Sequence, residues 1–121
     1  MSGEIKSFRD LFAWQKAFQL GLTVYRVVLT LPESERFGLI SQMRRGAVSV
    51  ASNIAEGYGR GGRQDYVRFL KLARGCLYEL DTQLLFALEL KYLEKEPYEV
   101  VKSQLDEAER VLAGLIRSVE V

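Results

Sequence analysis

The stretch Gly38-Leu39-Ile40-Ser41-Gln42-Met43-Arg44-Arg45-Gly46-Ala47-Val48-Ser49-Val50-Ala51-Ser52-Asn53-Ile54-Ala55-Glu56-Gly57 predicts one helix with two different faces. Its apolar residues recur at spacings of three and four, as on a half-buried helix: Ile40, Met43, Ala47, Val50 or Ala51, and Ile54. The opposite face carries two arginines and then small hydroxyl and amide side chains, which are ordinary or poor helix formers. A face that contacts only solvent has no need of such residues, so this face is the first candidate for a functional surface.

Three further helices follow from the same periodicity, and the four span about residues 8–31, 35–57, 63–93 and 97–119. Pro32 ends the first helix, because the residue before a proline is pushed away from helical angles. Gly57 is expected to end the second in the left-handed conformation, and Pro97 suits the first turn of the fourth. With short connections, these helices predict an all-α, up-down-up-down antiparallel four-helix bundle forming a single domain over residues 1–121.

The apolar side chains exceed one stripe per helix. On the first helix the expected core face is Leu11, Trp14, Phe18, Leu22, Tyr25 and Leu29. On the third it is Tyr66, Phe69 or Leu70, Ala73, Leu77, Leu80, Leu84 and Leu88, and on the fourth Val101, Leu105, Ala108, Leu112, Leu115 and Val119. The surplus comprises Phe12, Val24, Val27, Leu31, Leu72, Leu85 and Phe86. Exposed patches of this kind mark partner surfaces, so self-association is expected. Gly75 is expected at a close helix crossing.

The composition points away from catalysis. The chain has 121 residues, 48% of them hydrophobic and 27% charged, with a net charge of +1, one cysteine and no histidine. Histidine is the usual general base near neutral pH and the commonest metal ligand. We therefore expect no enzymatic activity, no cofactor and no metal. No apolar run approaches the ~20 residues of a membrane-spanning helix, and residues 1–6 contain no apolar run, so we expect no secretory leader. A cytoplasmic protein with no membrane contact is expected.

Positive charge is concentrated in the middle of the chain. Residues 41–74 hold seven basic and two acidic groups, whereas residues 75–121 hold five basic and ten acidic groups. The candidate nucleic-acid or anion contacts are Arg44, Arg45, Arg60, Arg63, Arg68, Lys71 and Arg74. A turn near Arg60 would place residue 45 level with residue 75, so that all seven line one helical hairpin. Clustered Lys and Arg bind the phosphates of RNA or DNA. Alternatively, acidic residues of the same or a neighbouring subunit neutralise them.

A polar stripe on the second helix is the candidate assembly face: Gln42, Ser49, Asn53 and Glu56. Asn53 could simply bond to a neighbouring backbone group. The preferred alternative is that the stripe lines a subunit interface or a ligand groove. The following segment, residues 57–62, is rich in glycine but matches no phosphate-binding loop, so it is read as a turn.

Several blocks together resemble a known family: Phe8-Arg9-Asp10-Leu11, Trp14-Gln15-Lys16-Ala17, Gln42-Met43-Arg44-Arg45 and Asn53-Ile54-Ala55-Glu56-Gly57. They look like the four-helix-bundle proteins encoded in intervening sequences of bacterial 23S ribosomal RNA genes. The resemblance covers residues 8 to about 93. Gly46 stands where an alanine is expected, and Cys76 where a serine is.

The resemblance implies a homopentamer around a central channel. A more distant relative is the accessory variability protein of diversity-generating retroelements, a basic pentamer that binds nucleic acid and a reverse transcriptase. We therefore expect a ring-shaped, non-enzymatic binding protein that associates with RNA or a nucleoprotein through its basic hairpin. The alternative is a structural or protein-interaction scaffold without nucleic-acid binding, including an accessory role beside a reverse transcriptase.

Overall fold

The computed structural model describes residues 3–121, so the first two positions of the predicted domain lie outside it. These residues form four α-helices and no β-strand, which confirms the all-α class. The helices are α1 (Phe12–Val27), α2 (Leu39–Gly59), α3 (Arg63–Glu89) and α4 (Lys95–Glu120). Single 3-10 turns cover Phe8–Asp10, Val28–Thr30 and Glu33–Glu35.

Each helix packs against two others around one apolar core. Helix α1 contacts α2 and α4, and α3 contacts the same two helices from the other side. The largest fully buried side chains include Leu20, Met43, Ile54, Leu70, Leu77, Leu80, Leu84, Leu105 and Leu112. No polar or charged residue among residues 3–121 is buried. Every charged group is therefore available at the surface or in the grooves between helices.

The predicted first helix, residues 8–31, is divided into three pieces. Ser7 and Asp10 form a capping box, but it caps a 3-10 turn rather than a long helix. Leu11 then adopts extended angles, and α1 begins at Phe12. At the other end a 3-10 turn leads to extended Leu31, as expected for the residue before Pro32.

The prediction of which face of α1 packs into the core is wrong. Its buried residues are Ala13, Ala17, Leu20, Val24 and Val27, whereas Phe18, Leu22, Tyr25 and Leu29 are between 43% and 75% exposed. Periodicity cannot choose between two apolar faces of one helix. The alanines decide, because small side chains let α1 approach its neighbours closely. The exposed apolar surface of α1 is therefore the face that carries Phe18, Leu22 and Tyr25 and that Leu29 continues, which is called its aromatic face below.

Helix α2 buries the predicted residues, with Val50 rather than Ala51, but it does not end at Gly57. It continues to Gly59, and the left-handed residue of the turn is Gly61, with φ 86°. Gly57 is buried between helices: a Cβ atom there would lie 2.8 Å from the Phe69 Cβ and 3.2 Å from the Tyr66 carbonyl oxygen. The close crossing expected at Gly75 is absent within the subunit, because a Cβ there meets nothing within 4 Å.

The predicted stripes of α3 and α4 are largely confirmed. Leu70 is buried rather than Phe69, and Ala87 rather than Leu88. Helix α3 stops at Glu89, short of the predicted residue 93, because Lys91 turns the chain with φ 66°. Helix α4 begins two residues before Pro97 and buries Ile116 in place of Leu115. A straight helix drifts against a strict seven-residue repeat, which explains that last difference.

Candidate binding surfaces

Four of the predicted basic residues lie together beside the turn between α2 and α3. This turn cluster comprises Arg60, Arg63, Arg68 and Lys71, all exposed. The Arg60 Nη1 lies 3.6 Å from the Glu56 carboxylate, and the Arg68 Nη2 lies 3.5 Å from that of Asp65. The central guanidinium carbons of Arg60 and Arg68 lie 5.2 and 4.5 Å from the centre of the Phe69 ring. One aromatic ring therefore positions two cations of the cluster.

The other two members of the turn cluster contact the end of α4. The Lys71 Nζ lies 2.9 Å from Glu120, and the Arg63 Nη1 donates a 2.6 Å hydrogen bond to the Val121 carbonyl oxygen. The hydrogen bond from Lys71 lowers the pKa of Glu120. The basic middle of the chain thus contacts the acidic C-terminal third within one subunit. This agrees with the alternative in which acidic residues neutralise the basic ones, although here the contacts involve only two of the four members of the turn cluster.

The acidic C-terminal third of the chain, residues 75–121, also contains a lysine that pairs with two of its carboxylates. The Lys102 Nζ donates hydrogen bonds to Asp106 at 2.9 Å and to Asp81 at 3.0 Å, which together raise the pKa of the lysine. The Tyr78 hydroxyl donates a 2.8 Å hydrogen bond to Glu109, and this bond raises the pKa of the tyrosine. These contacts link α3 to α4 and keep Lys102 charged across the physiological range.

Arg44 and Arg45 do not join the turn cluster, so the structure does not bring all seven predicted basic residues together, whereas Arg74 follows Lys71 by one helical turn on α3. The guanidinium of Arg44 lies 5.7 Å from the Tyr25 ring, on the α1 side of α2. Arg45 instead lines a groove opposite Glu79 and Gln83. Arg74 is half-buried, and its charge acts on Tyr78 and Glu120.

The expected register, in which residue 45 is level with residue 75, is wrong by more than the position of the turn explains. The turn lies around Gly61, and Gly57 packs against Tyr66 and Phe69. Residues of α2 therefore meet residues of α3 that come later in the sequence than expected. The Gln83 Nε2, for example, lies 3.4 Å from the Gln42 Oε1.

An open groove of about 820 Å³, lined by both polar and apolar side chains, runs between α2 and α3 and receives part of the predicted polar stripe. Gln42 and Ser49 line it together with Arg45, Glu79 and Gln83. Asn53 donates a 2.9 Å hydrogen bond to the Ser49 carbonyl oxygen, as the backbone-bonding alternative expects, and its place in an assembly face stays a prediction. Burial raises the pKa of the Cys76 thiol, which also lines the groove. Glu56 is not in the groove lining and pairs with Arg60 instead.

A second groove, of about 430 Å³, lies between α1 and α2 and is almost wholly apolar. Its α1 wall carries a stacked pair, Trp14 and Phe18, whose ring centres are 5.0 Å apart. Its floor is made of small residues, and a Cβ at Gly21 would lie 3.3 Å from the Ala47 carbonyl oxygen. Sequence reasoning missed this groove because it assigned these aromatic side chains to the core. The signal was present in the alanines on the opposite face of α1.

Within residues 3–121, no group of three or more cysteine, aspartate or glutamate side chains could hold a metal ion. None of the helices in this part of the chain is both long enough and apolar enough to span a bilayer.

The sequence profile of the 23S rRNA-intervening sequence protein family matches residues 9–114. The chain belongs to this family. Its fold is similar to the crystal structure of a protein of unknown function from the S23 ribosomal protein family of Bacteroides thetaiotaomicron, with a TM-score of 0.78. The two chains are 21% identical over 87% of this chain and 95% of the other, so the likeness shows the fold alone. No curated protein matches the chain.

The block Asn53-Ile54-Ala55-Glu56-Gly57, which carries much of the resemblance to this family, lies in the last turns of α2, where that helix packs against α3. Ile54 is buried in the core, and Gly57 permits the close approach of α3. Asn53 bonds to its own helix beside Cys76, and Glu56 pairs with Arg60. The block therefore fixes how the two helices meet and how the turn cluster is placed.

Proposed function

We propose that this member of the 23S rRNA-intervening sequence protein family is a non-enzymatic, cytoplasmic binding protein. Its antiparallel four-helix bundles assemble as a homopentameric ring and associate with RNA or a nucleoprotein. The family resemblance supports the pentamer, and the exposed aromatic face of α1 supports self-association. The observation that carries the binding proposal is the turn cluster of four exposed cations.

Contacts between helices support the up-down-up-down topology. Along each pair of consecutive helices, the contacting residue numbers rise in one helix as they fall in the other, which is the pattern of an antiparallel pair. The supporting contacts are Gly21 with Ala47, Tyr25 with Arg44, Gln42 with Gln83, Asn53 with Cys76, Lys71 with Glu120, and Asp81 with Lys102.

The turn cluster remains available to phosphates although carboxylates lie near it. Its ion pairs with Glu56 and Asp65 are 3.5 to 3.8 Å long, and the side chains involved are about half exposed. Exposed pairs of this kind contribute about 0–1 kcal/mol, so a phosphate can replace the carboxylate at little cost. Arg60 and Arg68 are held over Phe69 with their planar guanidinium groups accessible, and such groups bind phosphate oxygens in pairs.

Replacing Arg68 or Lys71 by alanine should weaken binding to structured RNA. Each lost phosphate contact should also make the slope of log affinity against log salt shallower by about 0.7–0.9. Filter binding across a salt titration measures both quantities. Lys95→Ala is the matched control, because this lysine lies at the start of α4, at the other end of α3. Absence of binding at low salt, or an equal loss in the control, contradicts RNA binding through this cluster.

A protein-interaction scaffold is the second candidate, and the contacts of Lys71 and Arg63 with the end of α4 favour it. Under this function the acidic third of the chain neutralises the cluster, within a subunit or between subunits. Assembly would then persist while RNA binding is absent at every salt concentration. An accessory role beside a reverse transcriptase belongs to this class.

A further inference from the structure

The apolar groove between α1 and α2 has positive charge at its margins and no acidic residue along its α1 wall. Residues 11–30 contain no aspartate or glutamate, and their two basic residues are Arg26, which is exposed, and Lys16, which pairs with Glu107 of α4 at 3.2 Å. The guanidinium of Arg9 lies 5.9 Å from the Phe8 ring, and that of Arg44 lies 5.7 Å from the Tyr25 ring. Both rings line the groove. Its occupant should therefore be apolar with acidic residues beside the apolar contact.

The second half of α3 presents an outer face with this chemistry. Leu85, Phe86 and Leu90 are each about half exposed, and Phe86 and Leu90 also form part of the α3 wall of the α2–α3 groove. Residues 75–90 contain three acidic residues and no basic one. Glu79 and Glu89 are exposed on this segment, whereas Asp81 is paired with Lys102.

Gly75 is a further unusual feature of this face. A glycine inside a helix costs about 0.5–1 kcal/mol relative to alanine, and nothing within the subunit approaches this one. A glycine at this exposed helical position is explained if a helix of another copy crosses α3 there, because the missing side chain lets the two backbones approach closely. The outer face of α3 therefore has the composition and the flat surface of a helix-packing site.

We infer that the α1–α2 groove of one copy binds the outer face of the second half of α3 in the next copy. The inference rests on the proposed ring and names the surfaces that close it. A cyclic ring above two subunits needs two different, complementary patches on each copy. These two surfaces match in charge. They also match in length, since α1 and the second half of α3 each extend about 22–24 Å at the helical rise.

The positions of the two surfaces suit a small ring. The four helices follow one another around the core, so the α1–α2 side and the outer corner of α3 point in directions between about 90° and about 135° apart. Neighbours in a five-membered ring lie in directions about 108° apart. This arrangement turns the outer face of α2, with Arg45 and Ser49, towards the central channel.

The exposed area agrees with an unpartnered subunit. One chain of 13.8 kDa exposes 7470 Å², whereas a monomeric protein of that mass exposes roughly 6,600 Å². The excess is about half of the roughly 1,600 Å² that one ring subunit would bury in its two standard-size interfaces.

The test uses aspartate substitutions at exposed positions, one on each surface. Leu22→Asp changes the groove, and Phe86→Asp changes the α3 face. Phe12→Asp is the control, because Phe12 is 72% exposed on α1 but does not line the groove. Sedimentation velocity should show a closed oligomer for the wild type and for the control, and monomers for the two interface variants. Val48→Asp on the α2 wall replaces Leu22→Asp if circular dichroism shows that the latter is unfolded.

An equimolar mixture of the two interface variants is the decisive sample. The Phe86→Asp copy keeps an intact groove, and the Leu22→Asp copy keeps an intact α3 face, so the mixture should form a one-to-one dimer. A wild-type ring that survives both substitutions overturns this interface and leaves the ring standing. Monomeric variants that do not pair overturn it as well. If the wild-type protein is monomeric, both the proposed ring and the proposed interface are overturned.

Discussion

Replacing Leu20 by alanine should lower the free energy of unfolding by about 2–5 kcal/mol. Leu20 is 1% exposed on the face of α1 that packs into the core, between Ala17 and Val24. Truncation removes buried methyl groups and leaves a cavity that the surrounding helices fill only in part. Urea denaturation followed by circular dichroism, at one fixed protein concentration, measures the loss.

Leu29→Ala is the matched control for this prediction. Leu29 belongs to the stripe that periodicity assigns to the core, yet it is 75% exposed and does not line the apolar groove. Its truncation should change the free energy of unfolding by no more than about 0.5 kcal/mol. A loss at Leu29 as large as that at Leu20 would show that α1 is rotated about its axis relative to the structure described above.

Gly57→Ala should destabilise the protein although alanine is the better helix former. The added Cβ would lie 2.8 Å from the Phe69 Cβ and 3.2 Å from a backbone oxygen of α3, so the two helices must separate. Overpacking of this kind costs about 1–3 kcal/mol. The same separation displaces Phe69, which supports Arg60 and Arg68, and should weaken RNA binding by the turn cluster. Thermal and denaturant unfolding measure the first effect, and the salt titration measures the second.

Gly46→Ala provides the control on the same helix. A Cβ at this position meets only the Gln83 Oε1, at 3.9 Å, which is an ordinary contact. The substitution should therefore stabilise the protein by about 0.4–1 kcal/mol, because alanine restricts the unfolded chain and favours the helix. If both substitutions changed stability in the same direction, the close approach of α3 at Gly57 would not be the cause.

The sequence predicts the four helices and the buried face of α2 because these depend on local spacing and on prolines. Ile40, Met43, Ala47, Val50 and Ile54 form one apolar stripe, and every one of them is buried. Helix α1 is different because it has two apolar faces. Which of them is buried depends on how closely the neighbouring helices approach, and no local pattern records that distance.

The candidate site was predicted less well than the helices. The charge count correctly draws attention to residues 41–74, but the grouping of their side chains depends on the register between α2 and α3. A buried glycine at residue 57 and a turn at Gly61 set that register. Arg44 and Arg45 are adjacent in the sequence but face α1 and α3 respectively, because neighbouring residues of a helix point about 100° apart.

The contacts of the turn cluster with the end of α4 could not be read from the sequence either. Lys71 and Glu120 are far apart along the chain, and they meet because α4 returns beside the first turns of α3. The sequence shows an excess of acid after residue 75 but not which carboxylates reach the basic residues.

Native mass spectrometry of the wild-type protein, purified without nuclease treatment, tests the central claim most directly. The account predicts a closed species of about 69 kDa, which is five times the subunit mass of 13.8 kDa. It also predicts that RNA accompanies this species at low salt and dissociates as the salt concentration rises. A spectrum at micromolar concentration that contains only the 13.8 kDa monomer, free of RNA, would contradict it.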